Sequence, residues 1–172
     1  MLIGIGGKKG SGKNAFSSVF IEAGFIEFSF AEFLKRGIRE IYGFTEKQLW
    51  GDKKEEIDQF WGIKPREVMQ WIGTDIMREK DSDFWVKRFR KWYSQEYDRN
   101  KNFIITDVRF INETEEIKKL GGILIWIERG LGGDTHISEN SVDKSNFDIE
   151  IENIGDITSL RKKGFELLHI LQ

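Results

Sequence analysis

The sequence predicts a three-layer α/β fold in which helices cover both faces of a parallel sheet. Short apolar runs of strand type alternate, along almost the whole chain, with longer segments whose apolar residues recur at helical spacing. A glycine-rich segment, GIGGKKGSGK, joins the first predicted strand directly to the first predicted helix. In parallel sheets of this kind, ligands bind beyond the carboxyl ends of the strands. The candidate functional residues therefore lie just after the predicted strands, at 7–14, 30–35, 107–113 and 129–139.

The elements follow in order from local patterns. Five short apolar runs bounded by glycine or polar residues predict strands at 2–6, 25–30, 102–106, 123–127 and 148–151. Helical spacing predicts helices at 13–23, 32–42, 65–79, 84–97, 112–120 and 157–171. Gly24 stands where glycine commonly ends a helix, and Pro65 suits a first helical turn. The polar and aromatic segment 43–62 predicts short helices joined by loops.

The composition is typical of one globular domain, and we expect residues 1–172 to form a single domain. The chain is 39% hydrophobic and 33% charged, carries a formal net charge of −2 and has no cysteine. The charge argues against electrostatic binding of nucleic acid, and the lack of cysteine excludes disulfides and thiolate metal sites. No apolar run approaches the ~20 residues of a membrane span, and the first residues do not resemble a signal peptide. We therefore expect a cytoplasmic protein without a membrane or nucleic-acid partner.

The segment from Gly7 to Lys13 has the spacing of a phosphate-binding loop, G-x4-G-K. Glycines allow the backbone to curl so that successive N–H groups face phosphate oxygens. The helix that follows presents its positive N-terminal end to the same anion. The lysine can reach the outer phosphates and offset the charge that develops during phosphoryl transfer. The strand–loop–helix context favours a working phosphate site over a simple glycine-rich turn.

Asn14 departs from the usual pattern, in which a Ser or Thr after the lysine binds Mg²⁺. The Asn side-chain oxygen is also a hard ligand and could contact the metal directly or through a water. Alternatively, waters anchored by a carboxylate elsewhere could hold the metal. The prediction of a phosphate site is unchanged by Asn14, but the sequence leaves open which residue holds the metal.

An acidic and a basic residue follow the predicted strand 102–106. Asp107 stands where an anchor for Mg²⁺ or its waters is expected, and it could instead accept a hydrogen bond or proton from an acceptor. Arg109 suits a bidentate phosphate contact. Two further cations, Lys35 and Arg129, follow the second and fourth predicted strands. This set of residues suits two phosphate-bearing substrates.

In order along the chain, several segments resemble those of the bacteriophage deoxynucleoside monophosphate kinases, a branch of the P-loop nucleoside monophosphate kinase fold. These segments are GKKGSGKN, FAEFLK, FTEKQLWGDKKE, PREVMQWIGTDIMR, DFWVKRF, TDVRFINE and DTHISE. In that family an Asp after the lysine is known, so Asn14 is less unusual there. Phe33 stands where the family pattern has a proline. The resemblance covers nearly the whole chain.

The resemblance implies a P-loop kinase fold with a five-stranded parallel sheet of order 2-3-1-4-5 and a lid at about 129–147. It also implies an acceptor-binding helical region at about 31–100. ATP would be the phosphoryl donor and Mg²⁺ the metal. The implied donor site consists of Gly10, Ser11, Gly12, Lys13, Asn14, Arg129 and His136, and the implied metal ligands are Asn14 and Asp107.

The resemblance further implies an acceptor site for a nucleoside 5′-monophosphate. Its residues are Lys35, Arg66, Gly73, Thr74, Trp85, Asp107, Arg109 and Glu113. Cations would bind the 5′-phosphate, Trp85 would offer a stacking or edge surface to the base or sugar, and Thr74 or Asp75 would hydrogen-bond it. The catalytic residues implied are Lys13, Asp107 and Arg109. A phage-encoded chain would act in the host cytoplasm.

Two other functions stay open from the sequence. One is another small-molecule P-loop kinase, such as an enzyme acting on dephospho-coenzyme A. The other is a nucleotide-dependent regulatory protein, although no guanine-reading N-K-x-D pattern is present. Four aromatic residues either form a homodimer surface or belong to a closed core, and the sequence leaves both alternatives open. They are Trp50, Phe60, Trp61 and Trp92. Base preference depends on pocket shape and does not follow from spacing.

Overall fold

The computed structural model describes residues 1–129 and 141–171. The chain forms two compact units, one comprising Met1–Ser29 and Trp92–Gln172 and the other Phe30–Lys91. Among the described residues, no helix is both long enough and apolar enough to span a bilayer. The expectation of a single domain over 1–172 stays a prediction.

The first unit is built on a five-stranded parallel sheet. Its strands are β1 (Leu2–Gly6), β2 (Ile26–Phe28), β3 (Phe103–Ile105), β4 (Ile123–Glu128) and β5 (Ile149–Glu152). Their order is β2-β3-β1-β4-β5, and every neighbouring pair is parallel. The predicted fold class and strand order are therefore confirmed. All five residues of the central strand β1 are buried, which explains its uninterrupted apolar and glycine sequence.

Helices cover both faces of this sheet, and the side chains of β1 point alternately towards one face and the other. Ile3 and Ile5 belong to a core shared with α1 (Lys13–Glu22) and α8 (Ile157–Leu171). Gly4, between them, faces the other side, where a Cβ would lie 2.8 Å from the Cδ1 of Ile117 on α7 (Ile111–Lys119). The glycine leaves room for the close approach of α7 to β1.

The second unit is helical. It contains α2 (Phe30–Tyr42), α3 (Glu46–Leu49), a 3₁₀ turn (Lys53–Glu55), α4 (Pro65–Gln70), a π-helical segment (Trp71–Ile76), α5 (Met77–Lys80) and most of α6 (Phe84–Glu96). Its core is formed by Ile38, Phe44, Leu49 and Val68. The short helices predicted within 43–62 are confirmed.

Several predicted boundaries were wrong. The second strand is shorter than 25–30 because α2 already begins at Phe30. The helix predicted over 65–79 is interrupted by the π-helical segment Trp71–Ile76. The helix predicted from Asn112 begins one residue earlier, because the side chain of Glu113 caps the N–H of Phe110.

The four aromatic residues for which the sequence left two alternatives open differ in burial, and a homodimer surface stays a prediction. Trp92 packs on Phe28 and Phe103, with ring centroids 4.7 and 5.7 Å apart. Trp50 is partly buried and donates its indole N–H to Glu32. Phe60, in contrast, is 86% exposed.

Candidate active site

The phosphate loop joins β1 to α1 and depends on its glycines. Gly7, Gly10 and Gly12 have φ values of 142°, 78° and 100°, a region of backbone conformation that favours glycine. A Cβ on Gly12 would also lie 2.7 Å from the side-chain nitrogen of Asn153. Because α1 begins at Lys13 directly after Gly12, the N–H groups of its first turn receive no side-chain cap from that residue. These groups and the helix dipole suit a bound phosphate.

Lys13 lies at this loop and contacts its backbone. Its ammonium group donates to the carbonyl oxygens of Gly7, at 2.5 Å, and Lys8, at 2.8 Å. The lysine is therefore held beside the loop whose phosphates it is predicted to bind.

An open cavity of about 340 Å³ lies at the loop and the start of α1. Its described lining consists of Gly10, Ser11, Gly12, Lys13, Asn14, Ala15, Arg129, Asn153, Gly155, Asp156, Ile157 and Leu160. Six of the seven predicted donor-site residues are thus brought together. Arg129 donates to the carbonyl oxygen of Gly10 at 3.4 Å, which places a second cation at the loop. The hydroxyl oxygen of Ser11 is buried and has no hydrogen-bond partner in the described part of the chain.

Asn153 supports the loop from behind and was not predicted from the sequence. It follows β5, is 7% exposed, and donates its side-chain amide to the carbonyl oxygen of Ser11 at 2.8 Å. Its backbone N–H donates to the carbonyl of Glu128 at 2.7 Å. The residue therefore links the ends of β4 and β5 to the phosphate loop. An asparagine in a loop has no distinctive sequence signal, which explains why it was missed.

Asp107 follows β3, as predicted, and is oriented by a residue from the neighbouring strand end. The hydroxyl of Ser29 donates to the Asp107 carboxylate at 2.8 Å. Ser29 comes directly after β2, which pairs with β3, so the two residues meet at the same edge of the sheet. Ser29 was likewise missed, although it lies at the end of a predicted strand, where polar residues are informative.

Glu113 supports the loop that carries Arg109. It is 1% exposed, and its carboxylate accepts the backbone N–H groups of Arg109 and Phe110 at 2.8 and 3.1 Å. The sequence predicted Glu113 as a substrate-binding residue. Its buried position and backbone contacts support a positioning role, and substrate binding by Glu113 stays a prediction.

In the second unit, three of the predicted acceptor residues are grouped around the π-helical segment. Gly73 and Thr74 lie within it, and Trp85 donates its indole N–H to the carbonyl of Gly73 at 2.8 Å. Trp85 is 7% exposed and holds this segment through that bond, while its contact with a base or sugar stays a prediction. A Cβ on Gly73 would lie 2.6 Å from the Cδ2 of Leu34 on α2. The glycine allows α2 to approach.

Lys35 and Arg66, also in this unit, contact other side chains. The ammonium of Lys35 lies 5.8 Å from the ring centroid of Trp50. Burial raises the pKa of the neighbouring Glu32, but hydrogen bonds from Trp50 and Arg36 outweigh it and hold this pKa below its ordinary value. Arg66 lies 3.4 Å from the Glu55 carboxylate. Phosphate binding by Lys35 and Arg66 stays a prediction.

Some predictions lie beyond what the structure describes. His136 and most of the predicted lid, 129–147, fall outside the described residues. Of that lid, Lys144–Asn146 forms a 3₁₀ turn, and Phe147 packs on Trp126 with ring centroids 5.1 Å apart. The described residues contain no group of three or more His, Cys, Asp or Glu side chains that could hold a metal. Metal binding by Asn14 and Asp107 stays a prediction.

Solved structures with a similar fold include two bacterial proteins. A dephospho-CoA kinase from Campylobacter jejuni matches with a TM-score of 0.56 and 15% identity, over 99% of this chain and 96% of that one. TT1252 from Thermus thermophilus matches with a TM-score of 0.56 and 16% identity, over 100% of this chain and 98% of that one. At this identity the two proteins show the fold and not the substrate.

Relatives in sequence identify the family. A protein of Acanthamoeba polyphaga mimivirus named "Putative deoxynucleotide monophosphate kinase" is 40% identical over 155 residues, which are 81% of this chain and 80% of that protein. The deoxynucleotide monophosphate kinase of phage T4 is 29% identical over 137 residues, and that of phage RB69 is 30% identical over 116. The matches span 56% and 47% of these two phage proteins. The family model of deoxynucleotide monophosphate kinase matches residues 44–163. The chain belongs to the deoxynucleotide monophosphate kinase family.

Proposed function

We propose that this chain transfers the γ-phosphoryl group of ATP to the 5′-phosphate of a deoxynucleoside monophosphate. A phosphate oxygen of the acceptor forms a new bond to the γ-phosphorus. The bond between the γ-phosphorus and the β–γ bridging oxygen breaks, and ADP leaves with that oxygen. The observation that carries the proposal is the glycine loop with Lys13 held at it, in a chain of this kinase family. Location in the cytoplasm and a homodimer stay predictions.

The residues of the loop fit the triphosphate of a nucleotide. Positive φ angles curl the backbone at Gly10 and Gly12, and the buried hydroxyl of Ser11 has no protein partner among the described residues. Lys13 and Arg129 supply positive charge at the same cavity. Such preorganised donors lower the energy of developing charge more than flexible ones, because no reorganisation is needed during the reaction.

The oxygen atoms available for Mg²⁺ are of the hard type that this ion prefers. Asn14 lines the cavity, and Asp107 is held by Ser29. When bound, Mg²⁺ would neutralise charge on the β- and γ-phosphate oxygens. Asn14 and Asp107 are the residues that we propose to hold it, with waters completing its coordination.

The acceptor residues predicted from the sequence have separate roles. Arg109 is proposed to bind the acceptor phosphate, and Glu113 to hold the backbone from which Arg109 extends. Lys35, Arg66 and Thr74 are proposed to contact the nucleotide, while the buried Trp85 positions the segment that contains Gly73. Phosphoryl transfer then depends on orientation and charge and needs no covalent intermediate on the protein.

A coupled ADP-release assay tests this function. Wild-type protein is given ATP and Mg²⁺ with dAMP, dCMP, dGMP or dTMP, with dephospho-coenzyme A, or with no acceptor. We expect rapid ADP release with at least one deoxynucleoside monophosphate. Transfer to dephospho-coenzyme A alone would favour another small-molecule kinase, and slow acceptor-independent hydrolysis would favour a regulatory protein. Either result would overturn the proposal.

The lysine variant localises the activity to the phosphate loop. Lys13→Ala should lower kcat/KM by about 100-fold or more, because it removes a charge that acts on the transferring group. Lys162→Ala is the matched control, since Lys162 is exposed on α8 and its closest described carboxylate is Glu166, at 3.8 Å. Turnover by Lys13→Ala equal to that of the control would contradict the site assignment.

A further inference from the structure

Arg88, on α6, is a cation that the predicted site does not include. Its guanidinium carbon lies 3.4 Å from the ring centroid of Phe33 on α2. Its Nη1 atom is buried and has no hydrogen-bond partner in the described part of the chain. Burial also lowers the pKa of Arg88.

The stacked geometry leaves the guanidinium able to bind a further group. A guanidinium that stacks on a ring uses its flat face, so that its N–H donors point outward around its edge. No carboxylate among the described residues forms an ion pair with Arg88. A buried cationic donor without a partner is costly, and native proteins keep such groups mainly where a ligand or a function requires them.

The position of Arg88 links it to the acceptor residues of the same unit. Residues three apart on a helix share a face, so Arg88 lies one turn after Trp85, which holds the carbonyl of Gly73. Phe33 is adjacent on α2 to Leu34, which lies against Gly73, and Lys35 follows next. Phe33 is also the position at which the chain departs from the proline of the family pattern. The Phe33 ring thus provides a platform for Arg88 on the helix that also carries the predicted acceptor residue Lys35.

We propose that Arg88, stacked on Phe33, binds the phosphate of the acceptor nucleotide through the edge of its guanidinium. The assignment rests on the proposed function, since it names a further ligand of that acceptor. A planar guanidinium with two adjacent N–H groups suits a bidentate contact to phosphate oxygens. The phosphate would then provide the acceptor that Nη1 lacks among the described residues.

Calorimetric titration tests the assignment without turnover. Wild type, Arg88→Met and Arg88→Lys are titrated with each of dAMP, dCMP, dGMP and dTMP, and with the corresponding deoxynucleosides. The phosphate loop is saturated throughout with a nonhydrolysable ATP analogue. We expect Arg88→Met to weaken nucleotide binding by about 10- to 100-fold, as the loss of a charge-assisted contact implies, and to leave nucleoside binding unchanged. Arg88→Lys should restore part of the loss, because it keeps the charge without the planar fork.

Arg39→Met is the matched control. Arg39 also lies over an aromatic ring, 5.8 Å from the Trp50 centroid, but it is exposed and has carboxylate partners in Glu40 and Glu46. This variant should bind nucleotides as the wild type does. An equal loss in both variants would overturn the assignment, as would an equal loss of nucleoside and nucleotide binding in Arg88→Met.

Thermal unfolding separates ligand binding from a structural role. Methionine can cover the Phe33 ring without burying an unpartnered donor, so Arg88→Met should have a Tm equal to or above that of wild type. A lower Tm with unchanged nucleotide affinity would show that Arg88 only stabilises the fold, and would overturn the inference. If the wild type phosphorylates a deoxynucleotide and Arg88→Met has the same KM for that nucleotide, Arg88 is excluded as a phosphate ligand. The proposed kinase function would then still stand. If wild type transfers phosphate to none of the four, the proposed function fails, and nucleotide binding that depends on Arg88 would still support the site.

Discussion

The link between Asn153 and the phosphate loop predicts a specific loss of ATP binding when its amide is replaced. In Asn153→Asp the side chain keeps its shape but can no longer donate to the carbonyl of Ser11, which it contacts at 2.8 Å. The new carboxylate would also face that carbonyl oxygen and add negative charge at the cavity. The loop should therefore lose both its support and part of its affinity for phosphate.

The magnitude follows from the burial of the contact. Leaving the Ser11 carbonyl without its buried partner costs about 1–3 kcal/mol. If about 1.4 kcal/mol of this loss appears as poorer preorganisation of the loop, the affinity for ATP falls about tenfold. The KM for ATP should rise by this factor or more in Asn153→Asp, while the KM for the acceptor stays the same. Asn153→Ala should raise the KM for ATP to a smaller extent, since it adds no charge.

Steady-state kinetics with varied ATP, together with urea unfolding, provide the measurement. Asn100→Ala is a suitable control, because Asn100 is exposed in a turn on the same unit and its described hydrogen bond uses the backbone. An Asn153→Asp protein with wild-type stability and a KM for ATP within twofold of wild type would refute the supporting role. A fall in stability with both KM values unchanged would refute its connection to the phosphate loop.

Two further predictions concern the loop and the strand ends. Gly12→Ala should abolish transfer and destabilise the fold by about 2–4 kcal/mol, since it combines a strained φ of 100° with a Cβ 2.7 Å from Asn153. Gly24→Ala is the matched control, because Gly24 has a φ of 92° and no described atom would lie within 4 Å of its Cβ. Urea unfolding should show a loss of only about 1 kcal/mol, and the ADP-release assay should show full activity. Ser29→Ala removes the hydroxyl that orients Asp107 and should lower kcat about tenfold at an unchanged KM for ATP. Wild-type kcat in Ser29→Ala would show that Asp107 needs no such orientation.

The sequence was informative where one local pattern determines the structure. The strand, glycine loop and helix from Leu2 to Glu22 are set by residues close together in the chain, so the loop and its place in the fold could be predicted. Strand order came from a family resemblance, because pairing between β1 and the distant β3 and β4 has no local signal.

The supporting residues could not be predicted, because their role depends on contacts far along the chain. Asn153 reaches Ser11 across 142 positions, and Ser29 reaches Asp107 across 78. Neither contact leaves a spacing that a sequence pattern could reveal. The interruption of the helix after Pro65 was missed for a related reason. A π-helical segment keeps helical composition and changes only the hydrogen-bond register.

The structure also bears on Asn14, the residue that departs from the usual phosphate-loop pattern. The shape of the loop depends on its three glycines and on the contact from Asn153 to Ser11, none of which uses the Asn14 side chain. Asn14 is exposed at the cavity, on the first turn of α1. A substitution at this position therefore leaves the phosphate-binding backbone intact. It changes only the side chain that the first turn of α1 presents to the cavity. Because the fold does not require a hydroxyl at this position, Asn14 alters the proposed metal site without altering the proposed phosphate site.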